Sequence, residues 1–162
     1  MAEAPDIQDR VVRFFAAVYG PFIDSGNIWE AGDGAGFANW VPPGGASEAL
    51  ETDEAFTATL TTLSDDGGAR YDVLWTWIEG RIPGDVWYLD MLAVDPTSQR
   101  GGVGTALVRF GLALAADDGA DAFLETSVPG NVPYYERFGF RVVDEGEPVP
   151  GCPRIWFMRT GS

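Results

Sequence analysis

Hydrophobic positions along the chain switch between two periods, and the switches mark out its elements. Over residues 7–19, Val11, Val12, Phe14, Phe15 and Val18 fall on one broad helical face, and Gly20-Pro21 ends the pattern. Segments 27–31 and 35–41 read as the strands of a hairpin, because Gly32-Asp33-Gly34 between them supplies the positive-φ residues of a tight turn. Pro42-Pro43-Gly44 closes the second strand. Residues 47–63 predict a helix, Gly67-Gly68 breaks it, and 71–79 predict another. Residues 86–94 contain the aromatic and apolar run WYLDMLAV, a strand stopped by Asp95-Pro96, and 103–117 return to helical spacing. A strand over 121–127, a short helix around 132–138, and strands over 139–144 and 154–159 complete the series. The last two are joined by the Pro- and Gly-rich stretch 145–153. The order is that of a mixed α/β sheet with helices on its faces. Trp75, Trp77 and Trp87 are expected to cluster and to serve as core packing rather than as a pocket wall.

One junction carries more than fold. QRGGVG, Gln99 to Gly104, lies between the strand at 86–94 and the helix from 103, so a strand feeds a glycine loop that opens a helix. Gly101, Gly102 and Gly104 let the backbone turn sharply and approach a ligand with no Cβ in the way. The amides of Arg100 to Thr105, through Val103, would then point outward at the positive end of the helix dipole, where a pyrophosphate is stabilised. The sequence contains no lysine, which excludes the GxxxxGK[ST] nucleotide loop. A dinucleotide GxGxxG belongs on the first strand of a βαβ unit, whereas this loop comes two-thirds of the way along.

Composition narrows the chemistry. The 162 residues make one domain, with no apolar run long enough to cross a membrane and no secretory leader at the start, so a cytoplasmic protein is expected. Cys152 is the only cysteine, in a Pro-Gly-Cys-Pro loop with no histidine or lysine to activate it, so neither a disulfide, a thiolate metal site nor a catalytic thiol is expected. Histidine is absent altogether, so proton transfer falls to carboxylates, tyrosine or water, and no metal is expected. A net charge of −15 argues against a nucleic-acid partner and permits a cationic substrate.

With those residues in view, the chain resembles the GNAT superfamily of acyl-CoA N-acyltransferases. LAVDPTSQRGGVGTALV fits the family's [QR]-x-x-G-x-[GA] signature after a strand ending in Asp-Pro, and Asn131-Val-Pro-Tyr-Tyr-Glu-Arg-Phe-Gly-Phe140 resembles its N…YYE-x-x-GF segment. The stretch from Gly36 to Gly44 is similar to a third-strand ending in many members, and the resemblance spans roughly residues 9–160. It implies a mixed, mostly antiparallel central sheet with a V-shaped splay, flanked by helices. Members usually begin with a strand and a helix before the helix placed at 7–19. Their apparent lack here implies either a truncated start or a bare sheet edge, and a bare edge implies a homodimer or a partner strand.

The resemblance also implies roles. Acetyl-CoA would be the co-substrate, its pyrophosphate held by Gln99 and the loop from Arg100 to Thr105, and its thioester facing backbone N–H groups of Leu92, Ala93 and Val94. Tyr135 aligns with the tyrosine that protonates the departing sulfur, with Tyr134 beside it, and Asn131 with the asparagine that hydrogen-bonds coenzyme A near its pantetheine. Alternation places Asp90 on the face of Tyr88 and Leu92, as candidate base, with Glu125 on the next strand as second candidate and a water chain as a third route. The implied activity is transfer of an acetyl group to a primary amine of a small molecule, peptide or protein. A non-catalytic acyl-CoA sensor or scaffold, and transfer of a longer acyl chain, are the competing readings. The acceptor side would be built from 21–27, 44–85 and 145–153, which carry no motif.

Overall fold

The computed structural model describes residues 7–20, 23, 26–45 and 54–161. Its elements run α1 (Ile7–Tyr19), β1 (Ile28–Ala31), β2 (Gly36–Val41), α2 (Glu54–Leu63), α3 (Ala69–Glu79), β3 (Val86–Val94), α4 (Val103–Asp117), β4 (Asp121–Thr126), α5 (Val132–Glu136), β5 (Arg141–Gly146) and β6 (Ile155–Arg159). The predicted start of the second helix at 47–53 lies outside the described residues. So does most of 21–27, assigned above to the acceptor side.

The six strands form one mixed sheet in the order β1-β2-β3-β4-β6-β5. All neighbours are antiparallel except β3 and β4, which run parallel. The β1–β2 turn needs three consecutive left-handed residues, Gly32 (φ 71°), Asp33 (φ 52°) and Gly34 (φ 84°), as its sequence predicts.

Each sheet face carries its own apolar cluster. On one side Trp40, Leu89, Val108, Leu124 and Met158 are buried beneath α4. The helix approaches so closely that a Cβ on Gly111 would fall 1.9 Å from the Trp40 ring, and the indole Nε1 donates to the Leu107 carbonyl at 3.2 Å. On the other side Val86, Tyr88, Phe123 and Phe157 pack against α3 through Trp75, Trp77 and Ile78. Tyr71 of α3 joins the remaining helices, its ring meeting Phe14 of α1 and Phe56 of α2 edge-on at 5.8 and 5.5 Å. The tryptophans therefore do not gather in one place. Trp75 and Trp77 lie on the α3 side, while strand alternation carries Trp87 to the α4 side, where its Nε1 donates to Asp118 at 2.8 Å.

Two irregularities of β3 shape the middle of the molecule. Its pairing with β4 stops at Leu89 opposite Leu124; beyond that point β3 bonds only to β2, and Glu125 and Thr126 of β4 only to β6. The two strands thus splay. In the same place Asn39 pairs with Met91 and Trp40 with Leu89, so Asp90 is an extra, bulged residue. The bulge shifts the alternation by one. Asp90 stays on the α3 side with Tyr88, but Leu92 turns to the α4 side, where it packs with Leu89 and Trp40. The expectation that Asp90 and Leu92 share a face is corrected accordingly.

Candidate active site

The loop after β3 is built by local hydrogen bonds. Asp95 accepts from the Thr97 amide at 2.8 Å and from its hydroxyl, which holds the carboxyl below the usual range, and its carbonyl accepts from Ser98 N at 2.9 Å. Arg100 (φ 64°) and Gly102 (φ 90°) are both left-handed, and Gly102 caps α4. From Gly102 to Thr105 no amide bonds to a described residue, and Ala106 N is the first to find a carbonyl, that of Gly102, at 2.9 Å. Four free N–H groups at the start of a 15-residue helix form an anion cradle.

The cradle lines a 590 Å³ cleft on the α4 side. Leu92, Val94, Gln99, Arg100, Gly102, Gly104 and Thr105 form one wall, and Asn131, Tyr134 and Tyr135 the other. A Cβ on Gly104 would lie 3.1 Å from the Tyr134 hydroxyl and 3.4 Å from Val94 Cγ2, so this position must stay bare for the cleft to exist. Gln99 also ties the loop to the strand, its Nε2 donating to the Val94 carbonyl at 3.3 Å.

One amide expected in the cradle is already engaged. The Gly101 amide is consumed by the Ser98 carbonyl at 3.3 Å. The Val103 side chain packs toward Gly32 and Gly36, while its amide stays among those of the cradle. The Ala93 side chain faces the opposite side of the sheet. Conversely, Arg137 lines the cleft unforeseen, its guanidinium 4.9 Å from the Tyr134 ring centre. The arginine of YYERFGF was the available signal.

A second cleft of 520 Å³ opens on the α3 side and shares Leu92, Asn131 and Tyr135 with the first. The two therefore meet through the splay. Asn131 is fixed there by donating Nδ2 to Thr126 Oγ1 at 3.1 Å, and Tyr135, 7% exposed, is wedged between Tyr134 and Phe140. Burial, then the proximity of Tyr134 and Glu125, pushes its phenol up to about 12, so it stays protonated across the physiological range.

Asp90 and Glu125 both line this second cleft, and their surroundings differ. Asp90 accepts from Asn39 Nδ2 at 2.9 Å and from the Tyr19 hydroxyl, with the Tyr88 hydroxyl nearby; burial nonetheless pushes it up to about 6 against those interactions. Glu125 accepts from the Tyr88 hydroxyl at 3.0 Å through Oε1, while its buried Oε2 has no partner among the described residues. Burial, with the Asp90 charge added, pushes Glu125 up to about 8. Tyr88 sits between the carboxyls and links them. Tyr19, Asn39 and Tyr88 were not identified as site residues from sequence; each is an ordinary helix or strand residue until the register is known.

The splayed α/β sheet thus carries a glycine-loop anion cradle on one face and a carboxylate cleft on the other. The model of the Acetyltransferase (GNAT) family matches residues 28–140, and the chain belongs to that family. A Corynebacterium glutamicum structure described as histone acetyltransferase HPA2 and related acetyltransferase is 20% identical, with 99% of this chain and 79% of that chain covered and a TM-score of 0.63. Mosquito arylalkylamine N-acetyltransferase like 5b is 18% identical over 86% of this chain and 76% of that one, with a TM-score of 0.53. Against a chain of the NatC complex bound to Gag peptide and CoA (21% identity, TM-score 0.43), the match covers 47% of this chain and about half, 50%, of that one.

Proposed function

We propose that this domain is an acetyl-CoA-dependent N-acetyltransferase that moves the acetyl group directly to a primary amine. The observation that carries the reading is the meeting of two clefts of opposite character at Tyr135. The cleft with the free helix-start amides also holds Arg100 and Arg137 and suits a pyrophosphate; the other holds two carboxyls and no arginine among its described lining, which suits an amine. Acetyl-CoA supplies an activated acyl group and a thiolate leaving group.

The chain's residues do the rest. The amides of Gly102 to Thr105 and the two arginines hold the pyrophosphate, and the β3 edge beyond Leu89, freed by the splay, faces the acyl carbonyl with its outward N–H groups. Of the two carboxyls, Glu125 is assigned as proton acceptor. Its Oε2 has no partner among the described residues, whereas Asp90 already accepts from Asn39 and Tyr19. An arriving ammonium gives one proton to ionised Glu125, the neutral amine forms the N–C bond as the C–S bond breaks, and Tyr135 donates its hydroxyl proton to the departing sulfur. The proton left on the new amide nitrogen returns to the tyrosinate or to water.

Calorimetric titration of acetyl-CoA, paired with thiol release in the presence of primary amines, tests the reading. Wild-type protein should bind and release thiol only when an amine is present. Gly104→Glu should lower affinity at least about 100-fold with the Tm nearly unchanged, because it fills the cradle rather than the core. Failure of the wild type to bind, or binding without amine-dependent release, would overturn the proposal; the second result would favour an acyl-CoA sensor.

A further inference from the structure

Beyond the carboxylates, the second cleft runs into a groove of 280 Å³ whose walls, from Phe15, Tyr19, Phe37, Met91 and Ala93, are wholly apolar. Phe15, Tyr19 and Met91 line both spaces, so the two are continuous. The groove follows β3 onward from Asp90, because the bulge turns Met91 and Ala93 to the face that carries the carboxyls. Phe15 and Phe37 are 45% and 39% exposed, an apolar cost at a surface unless something covers it in use. At the opposite end, against the shared Tyr135, stands the Oε2 of Glu125, which has no partner among the described residues.

Resting on the proposed acetyltransfer, we infer that the acceptor is a hydrophobic primary monoamine, its ammonium at Glu125 and its aryl or alkyl tail in the groove lined by Phe15, Phe37, Met91 and Ala93. The charge pattern selects against other amines. An α-amino acid would bring a carboxylate beside Asp90 and Glu125, where no described lining residue is cationic to meet it. A polyamine would place a second ammonium against walls that offer no polar atom. A protonated monoamine satisfies both ends: the buried carboxylate oxygen gains a donor, and the groove loses its contact with water.

The test is a panel of acceptors with saturating acetyl-CoA, read as kcat/KM for thiol release: ethylamine, hexylamine, phenethylamine, phenylalanine and spermidine. Hexylamine and phenethylamine should exceed ethylamine by at least about tenfold, the scale set by several buried methylenes. Phenylalanine, which is phenethylamine with one added carboxylate, should fall about 100-fold or more below it, and spermidine should resemble ethylamine or be worse. Phe37→Ser should remove most of the advantage of the long tails, read as a fall in the ratio of kcat/KM for hexylamine to kcat/KM for ethylamine. Phe15→Ser, on the other wall, repeats the test if that variant misfolds. Equal rates across the monoamines, or preference for phenylalanine or spermidine, would overturn the acceptor class and leave acetyltransfer standing. Absence of thiol release with every amine would overturn both.

Discussion

At the scale of single residues, the site depends on how neighbouring polar groups divide the labour. Asp90 and Glu125 are both buried carboxyls, but two donors, Asn39 and Tyr19, converge on the first and one, Tyr88, on the second. Glu125 therefore keeps its proton to higher pH, up to about 8 against about 6 for Asp90. If Glu125 accepts the amine proton, it acts only when ionised. kcat/KM should then rise with pH up to about 8 and level off above it, and Glu125→Gln should lower kcat by roughly 100-fold and abolish that rise. A pH–rate profile of both proteins checks this, and an unchanged profile in the variant would return the role to Asp90 or to water. From sequence, both carboxyls were legible as candidates. Their ranking was not, because the donors to Asp90 come from two elements distant in sequence, α1 and β2.

At the scale of elements, the glycine loop and the strand before it were readable because both are local. Asp95-Pro96, three closely spaced glycines and a change of period from two to 3.6 sit next to each other in the chain. The β3 bulge was not readable, since it exists only in the register between Asn39–Trp40 and Leu89–Met91, some 50 residues apart. That one extra residue decides which cleft Leu92 and Ala93 face. The packing of α4 was likewise hidden: Gly111 looks like a mild helix defect, yet it is where the Trp40 ring lies against the helix backbone. Gly111→Ala, which would improve helix propensity in isolation, should instead lower the Tm by roughly 5 °C through overpacking, as measured by thermal unfolding. A rise in Tm would mean that α4 does not sit this close to the sheet.

Across the whole molecule, the two clefts differ in the charge they hold. Two arginines flank the cradle, and two raised carboxyls occupy the cleft behind it, in a chain of net charge −15. The buried pair makes stability depend on pH. Because Asp90 and Glu125 bind protons more tightly folded than unfolded, their contribution is fully present below the ordinary carboxylate range and is lost as pH rises through about 6 and then about 8. The Tm of the protein should fall by roughly 5 °C between pH 5.5 and 8.5. Glu125→Gln should remove most of that slope, and a Tm that rises over this range would contradict the burial of the pair. The central claim is that the two clefts meet at a tyrosine that donates a proton, and Tyr135→Phe tests it most directly, with kcat for thiol release measured alongside the calorimetric Kd for acetyl-CoA. The phenol–amine account predicts a kcat lower by about 100-fold or more with Kd unchanged. Full turnover by the variant would contradict it.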